Sequence, residues 1–104
     1  MAEYIKVAQA KDISPGQMTK VEVEGEEIAI ANVDGQFFAF SDGCTHALCS
    51  LTEDGELDGE VVMCGCHGSE FNVKTGEVVQ GPADEPVKSY PVQVDGDDVK
   101  VSLA

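Results

Sequence analysis

Every cysteine and histidine of this chain lies in one of two short segments. The first segment spans residues 44–50 and the second spans residues 64–69, and together they hold all four cysteines and both histidines. Each carries one cysteine–histidine pair, Cys44 with His46 and Cys64 with His67, so close in sequence that a single loop can direct both side chains at one centre. Thiolate and neutral imidazole suit zinc and iron–sulfur centres, whereas hard cations prefer oxygen. The pattern predicts one metal centre with four candidate ligands: Cys44, His46, Cys64 and His67.

The ligand types alone leave the metal open. Four such ligands also suit a mononuclear zinc ion, although common zinc fingers place two cysteines in one arm and two histidines in the other. Here each arm has one of each. The glycines Gly43, Gly65 and Gly68 are expected to allow tight turns and close backbone approach around the ligands. Zinc and an iron–sulfur centre are separable by colour, because zinc is spectroscopically silent.

The two segments resemble the ligand boxes of Rieske proteins, C-x-H followed after a spacer by C-x2-H. Residues 44–46 match the first box and residues 64–69 match the second. The resemblance implies one Rieske-type [2Fe–2S] cluster, since such centres replace two cysteines by histidines on one iron. It places Cys44 and Cys64 on the buried iron, and His46 and His67 on the outer iron.

The resemblance extends to residues around the cluster. Residues 81–83, Gly-Pro-Ala, stand where Rieske proteins carry a proline loop over the cluster, so Leu48, Pro82 and Ala83 are expected to form an apolar collar. Respiratory members read G-S-x-Y after the second histidine, and their hydroxyls donate to cluster sulfurs. This chain keeps Ser69 and has Phe71 in place of the tyrosine. Because Rieske potentials span roughly −150 to +300 mV and depend on such donors, we expect a potential below that of respiratory members.

Two cysteines remain after the ligands are assigned. Cys49 and Cys66 occupy the positions of the disulfide in bc1 and b6f-type Rieske proteins, so the resemblance implies a bridge between the two segments. Closing this 17-residue separation would contribute on the order of 3 kcal/mol by loop-entropy reasoning. The alternative is two free thiols, since cytosolic disulfides are rare. Most soluble Rieske ferredoxins lack the pair.

The charge of the chain restricts its partners. Among 104 residues, 20 are acidic and 6 basic, which gives a net charge of −14. Nucleic acids and anionic membranes would repel such a protein, whereas a basic patch on another protein would attract it. The N-terminus lacks the pattern of a signal peptide, and no apolar run approaches the length of a membrane span. We expect a cytoplasmic protein without a membrane anchor.

Short β-branched and aromatic runs separated by turns predict an all-β fold. Asp-Gly, a preferred hairpin dipeptide, occurs five times. We expect an antiparallel sandwich or small barrel that forms one domain over residues 1–104. A cluster-binding subdomain at about residues 42–83 is inserted between a strand ending near Phe40 and one near Val87. The acidic stretch 53–60 is expected to be a solvated hairpin. The expected strands contain residues 19–23, 28–33, 37–40, 61–63, 71–73, 78–79, 87–94 and 99–103.

The resemblance implies a role in electron transfer. Soluble Rieske ferredoxins carry single electrons from a flavoprotein reductase to a terminal oxygenase in bacterial aromatic-ring hydroxylating systems, and we expect this chain to do so as a monomer. A Rieske oxygenase needs a further mononuclear iron held by two histidines and a carboxylate. Both histidines here belong to the cluster boxes, so an enzyme is not expected. The alternative is a small Rieske-fold subunit of a nitrite reductase or another redox complex.

Overall fold

The computed structural model describes residues 4–43, 49–65, 68–81 and 85–103. Within these ranges the chain forms short strands, one single-turn helix and one 3₁₀ turn at Ala10–Asp12. The strands and the helix, in chain order, are β1 (Tyr4–Gln9), β2 (Met18–Val23), β3 (Glu26–Val33), β4 (Gln36–Ser41), α1 (Leu51–Asp54), β5 (Glu56–Asp58), β6 (Val61–Met63), β7 (Glu70–Asn72), β8 (Val78–Gln80), β9 (Ser89–Tyr90), β10 (Val92–Asp95) and β11 (Asp98–Ser102).

The strands pair into three antiparallel sheets. Their orders are β1-β11-β10, β2-β3-β4-β9 and β5-β6-β7-β8. The all-β prediction is confirmed. Strand β1 was not among the predicted strands. Its side chains are exposed or only half-buried throughout, and its sequence is correspondingly weakly apolar.

Strand β3 lies at the centre of the molecule and is buried on both faces. Successive side chains of a strand point to opposite sides of the sheet. Ile28 and Ile30 therefore pack with β11 in one core, while Ala29 and Ala31 belong to a second core shared with β6 and β7. The central sheet is thus sandwiched between the other two, which explains the nearly continuous apolar run in β3.

Both candidate ligand segments lie in the part of the chain between β4 and β9. These two strands pair directly, with Phe40 opposite Ser89, although 48 residues separate this pair. The intervening chain builds the β5–β8 sheet. The first ligand segment lies between β4 and α1, and the second lies between β6 and β7.

Three of the five Asp-Gly dipeptides lie at hairpin turns, and the other two do not. The prediction is wrong for Asp42-Gly43 and Asp54-Gly55. Asp42 has a buried carboxylate that accepts hydrogen bonds, and Asp54 ends helix α1. The acidic stretch 53–60 is consequently part helix and part β5–β6 hairpin. The hairpin dipeptides are Asp34-Gly35, Asp58-Gly59 and Asp95-Gly96.

The single strand predicted over residues 87–94 is interrupted. Val87 precedes β9, and Pro91 separates β9 in the central sheet from β10 in the β1-β11-β10 sheet. Proline has no N–H to donate to a ladder. Its carbonyl accepts a hydrogen bond from Ser102 N, 3.1 Å away. The chain therefore changes sheets at Pro91.

Candidate metal centre

The two ends of the second ligand segment are hydrogen-bonded to each other at Cys64. Cys64 is fully buried and follows β6 directly. Its amide donates to Ser69 O at 2.7 Å, and its carbonyl accepts from Gly68 N at 2.9 Å. Gly68 has φ +80°, which favours glycine, as the sequence predicted. The Cys64 thiol is therefore held in the interior by a loop that is closed through its own backbone.

The residues that follow this loop are buried as well. Ser69 and Phe71 are both fully buried, and Phe71 belongs to the core shared with β3. Ser69 is thus excluded from solvent beside the loop that carries Cys64. The predicted role of its hydroxyl as a donor to the cluster remains a prediction.

The first ligand segment is closed at its base. Gly43 and Ser50 form an isolated antiparallel bridge. Leu51 N donates to Asp42 O at 2.7 Å. Residues 44–48 lie outside the described ranges, but the chain positions on either side of them are adjacent in space. The two ends of the first segment are therefore held against each other by backbone hydrogen bonds.

The Asp42 carboxylate holds this base together. Asp42 is 1% exposed. Its Oδ1 accepts from Thr52 N at 2.9 Å and from Thr52 Oγ1 at 2.7 Å, and its Oδ2 accepts from Ser50 Oγ at 2.5 Å. The sequence reasoning missed this residue because it was interpreted as part of a hairpin turn.

Helix α1 lies between the two ligand segments. Ser50 caps its N-terminus by accepting from Glu53 N at 3.1 Å, the first half of a capping box. The S-x-x-E pattern of residues 50–53 could have revealed this helix. At its other end, an added Cβ at Gly65 would fall 1.6 Å from the Asp54 carbonyl oxygen, and one at Gly55 would fall 2.3 Å from Met63 O. The backbones of α1 and the second segment are therefore in direct contact.

Of the three glycines singled out from the sequence, Gly43 has no such role. An added Cβ at Gly43 would meet nothing within 4 Å, and its φ is not positive. Gly65 is needed for close approach and Gly68 for its positive φ. The expectation of a tight turn or close backbone approach is therefore wrong for Gly43 alone.

The segment that contains the predicted proline loop is flanked by Gly76 and Val87, whose backbones are in contact. Val87 N donates to Gly76 O at 2.9 Å, and an added Cβ at Gly76 would fall 2.1 Å from Val87 O. Val87 is buried in the same core as Cys64. Pro82 and Ala83 lie outside the described ranges, so the predicted collar is not located.

The outer side of the β5–β8 sheet is acidic around an apolar centre. Glu56, Met63 and Glu70 stand opposite one another across β5, β6 and β7, and Asp58 stands opposite Val61. We call these five residues the acidic face; they line one shallow pocket. Met63 is 36% exposed. None of the three carboxylates is in an ion pair within the described ranges.

Three of the four predicted ligands, Cys44, His46 and His67, lie outside the described ranges, as do Leu48 and Cys66. Within those ranges no group of three or more His, Cys, Asp and Glu side chains is arranged to hold a metal ion. Cys64 is the one predicted ligand whose surroundings are described. A fully buried thiol fits an iron–sulfur cluster, which is held by cysteine thiolates.

The sequence matches the family model described as the Rieske [2Fe-2S] domain over residues 3–91. The chain belongs to this family. A Rieske domain carries one Rieske-type [2Fe–2S] cluster, so the cofactor prediction is confirmed and mononuclear zinc is set aside. Within the described ranges, no helix is long and apolar enough to cross a membrane.

Several Rieske relatives match over nearly their full length. The chain is 43% identical to the biphenyl dioxygenase ferredoxin subunit of Pseudomonas sp. (strain KKS102), covering 97% of this chain and 93% of the relative. It is 41% identical to the biphenyl 2,3-dioxygenase ferredoxin component of Rhodococcus jostii (strain RHA1), covering 94% and 91%.

Solved Rieske structures agree with the fold. The ferredoxin of carbazole 1,9a-dioxygenase from Nocardioides aromaticivorans IC177 superposes with a TM-score of 0.90 at 31% identity, covering 94% of this chain and 95% of that one. A chain from a complex of reduced oxygenase and oxidised ferredoxin in carbazole 1,9a-dioxygenase gives 0.90 at 39% identity, covering 95% and 92%.

Proposed function

We propose that this protein is the ferredoxin of a ring-hydroxylating dioxygenase system and carries single electrons from a flavoprotein reductase to the terminal oxygenase. The observation that carries the proposal is near full-length similarity to ferredoxin components of biphenyl, cumate and naphthalene dioxygenase systems. A carbazole dioxygenase relative is known in a complex of oxygenase and ferredoxin. The chain is an electron-transfer protein and not itself the oxygenase.

The cluster ligands are Cys44 and Cys64 on one iron, and His46 and His67 on the other. Support comes from the two matching boxes and from Cys64, whose thiol is buried at the end of β6. When bound, the cluster supplies a one-electron couple. The protein excludes water from the thiol side of the site, because Cys64, Ser69 and Phe71 are fully buried.

A Cys49–Cys66 disulfide joins the two ligand segments in this proposal. Of the two described cysteines, Cys64 is not in a disulfide, whereas Cys49 is disulfide-bonded. Cys66 is the candidate partner because it belongs to the second segment and is not one of the four ligands. Such a bridge would add a covalent link beside the contact between α1 and Gly65.

Docking to both redox partners uses charge complementarity. The net charge of −14 and the acidic face suit basic patches on the reductase and the oxygenase. Met63 adds an exposed apolar centre and directly precedes the ligand Cys64. A partner that presents basic side chains around an apolar one would fit this face.

We further propose that the cluster-binding subdomain spans about residues 42–83 within a single domain of 104 residues. The independent β5–β8 sheet, inserted between the paired strands β4 and β9, supports this division. We also propose that the protein acts as a monomer in the cytoplasm. Sedimentation analysis of the purified protein and fractionation of cells that contain it would test these two statements.

The experiment that tests the function combines spectroscopy with turnover. We expect the purified protein to be red-brown, to contain two iron and two sulfide per chain, and to give the low average g of histidine ligation when reduced. With a flavoprotein ferredoxin reductase and a Rieske oxygenase, it should restore oxygenase turnover. A colourless zinc protein, or an iron–sulfur protein that neither partner reduces or oxidises, would contradict the proposal.

A further inference from the structure

We propose that Asp42 is a positioning residue that sets the geometry of both ligand segments and thereby the properties of the cluster. This inference rests on the proposed function, because the first segment holds Cys44 and His46 as ligands. Asp42 is two residues before Cys44 and is 1% exposed.

The Asp42 carboxylate accepts three hydrogen bonds. The Ser50 and Thr52 hydroxyls and the Thr52 amide all donate to its two oxygens. A hydroxyl has one proton to donate. Ser50 Oγ and Thr52 Oγ1 also lie 3.1 Å apart, so either hydroxyl can donate to the other once its proton no longer points to Asp42. The Asp42 carboxylate is therefore the acceptor at the centre of this network, and removing it would leave its partly buried donors without their acceptor.

The backbone of Asp42 closes the same loop. Its carbonyl accepts from Leu51 N at 2.7 Å, and its amide donates to Glu27 O at 3.1 Å in the central sheet. Next to it, Gly43 pairs with Ser50. Side chain and backbone together fix both ends of the first segment to β3.

The network also reaches the second segment through α1. Ser50, which donates to Asp42, is the N-cap of α1, and its carbonyl accepts from Asp54 N at 2.9 Å. The Asp54 carbonyl in turn lies against Gly65, the residue after Cys64. A change at Asp42 therefore shifts the helix that spaces the two pairs of ligands.

The Asp42→Asn substitution tests this role with little change in volume. The amide of asparagine places a donor opposite Ser50 Oγ, so the Ser50 proton has to turn to Thr52 Oγ1, 3.1 Å away, and the short charge-assisted hydrogen bond to Asp42 is replaced by weaker neutral ones. It also removes a buried negative charge near the cluster, which favours the more negative reduced state. We expect a higher midpoint potential, an altered EPR line shape and faster loss of visible absorption in the presence of an iron chelator.

Asn32→Asp is the matched control. Asn32 is 4% exposed and bonds Ile13 O at 2.7 Å and Gly35 N at 2.8 Å. Asp42 bonds the chain near the start of β3, and Asn32 lies five residues further along, which corresponds to about 17 Å of strand. This variant loses the buried hydrogen bond to Ile13 O, so we expect it to lower the unfolding temperature without changing the EPR line shape or the chelation rate.

The outcomes separate this inference from the proposed function. A wild-type protein without a [2Fe–2S] cluster would overturn the function. A wild type with the cluster, together with an Asp42→Asn variant of unchanged potential, line shape and chelation rate, would overturn the inference alone. If Asp42→Asn does not fold, Thr52→Val is the second variant to test. It removes only the Thr52 hydroxyl and leaves the other two donors to Asp42 in place. Altered line shape and faster chelation in that variant support the inference, and wild-type values for both contradict it.

Discussion

The carbonyl oxygen of Asp54 lies against Gly65 so closely that a Cβ there would fall 1.6 Å away. This contact joins the end of α1 to the residue after Cys64. Because the other end of α1 is capped by Ser50 at the base of the first ligand segment, one helical turn fixes the separation of the two segments.

The Gly65→Ala substitution is expected to force these segments apart. The methyl group has to displace backbone and not a flexible side chain. We expect a loss of about 1–3 kcal/mol in the free energy of unfolding and a lower iron content per chain. Chemical denaturation and iron analysis measure both. Gly43→Ala is the control, since a Cβ there meets nothing within 4 Å, and equal effects in the two variants would contradict the prediction.

Ser69→Ala is expected to lower the midpoint potential. Ser69 is fully buried beside the Cys64 loop, and the resemblance makes its hydroxyl a donor to a cluster sulfur. Losing such a donor disfavours the reduced cluster. Protein-film voltammetry measures the change. Ser102→Ala, which replaces an equally buried serine in β11, should leave the potential unchanged.

The wild type is itself expected to have a potential below that of respiratory Rieske proteins, because Phe71 carries no hydroxyl. A wild-type value near +300 mV, the top of the family span, would contradict the expectation.

Cys49→Ser is expected to lower the free energy of unfolding by on the order of 3 kcal/mol, because the proposed bridge to Cys66 closes a 17-residue separation. Urea denaturation with and without a reductant measures the effect. The reductant should destabilise the wild type and not the variant. The same stability in wild type and variant under non-reducing conditions would show that no bridge forms.

Tyr90 is expected to make stability depend on alkaline pH. Burial raises the pKa of Tyr90 to about 12, and the hydrogen bond that its hydroxyl donates to Glu26 at 3.1 Å adds to the shift. The folded state favours the neutral phenol, whose unfolded pKa is about 10. The resulting stabilisation is complete below about pH 10 and is lost as the pH rises towards 12.

Denaturation midpoints between pH 9 and 12 should therefore fall more steeply for the wild type than for Tyr90→Phe. The exposed Tyr4 provides the control, and Tyr4→Phe should follow the wild type. Parallel curves for the wild type and Tyr90→Phe would show that the phenol contributes nothing in this range.

Neutralising the acidic face is expected to weaken encounter with basic partners. The double substitution Glu56→Gln and Glu70→Gln removes two charges beside Met63. We expect the association rate with reductase and oxygenase to fall several-fold at low salt and to depend less on ionic strength. Stopped-flow kinetics measures this. Asp12→Asn with Glu22→Gln removes the same charge from exposed positions elsewhere, and an equal effect would assign the steering to net charge alone.

The sequence identified the cluster boxes and most strands, because both are local patterns. Ligand pairs two or three residues apart and apolar runs such as that of β3 can be recognised without knowing which distant residues they contact. The S-x-x-E pattern before α1 was also local, and it was overlooked because the surrounding acidic residues favoured a hairpin interpretation.

Long-range contacts decided the rest. Asp42 and Asp34 both precede glycine, but only the fold brings Ser50 and Thr52 to the buried carboxylate of Asp42 and so makes it the centre of a hydrogen-bond network. Gly65 and Gly43 are equally compatible with a tight turn, and the Asp54 carbonyl alone distinguishes them. The sequence by itself determined which residues are the candidate cluster ligands, since ligand chemistry belongs to residue type and spacing. The tertiary structure decided which residues hold the ligand segments in place, since a hydrogen bond or close contact depends on where the folded chain brings its partner.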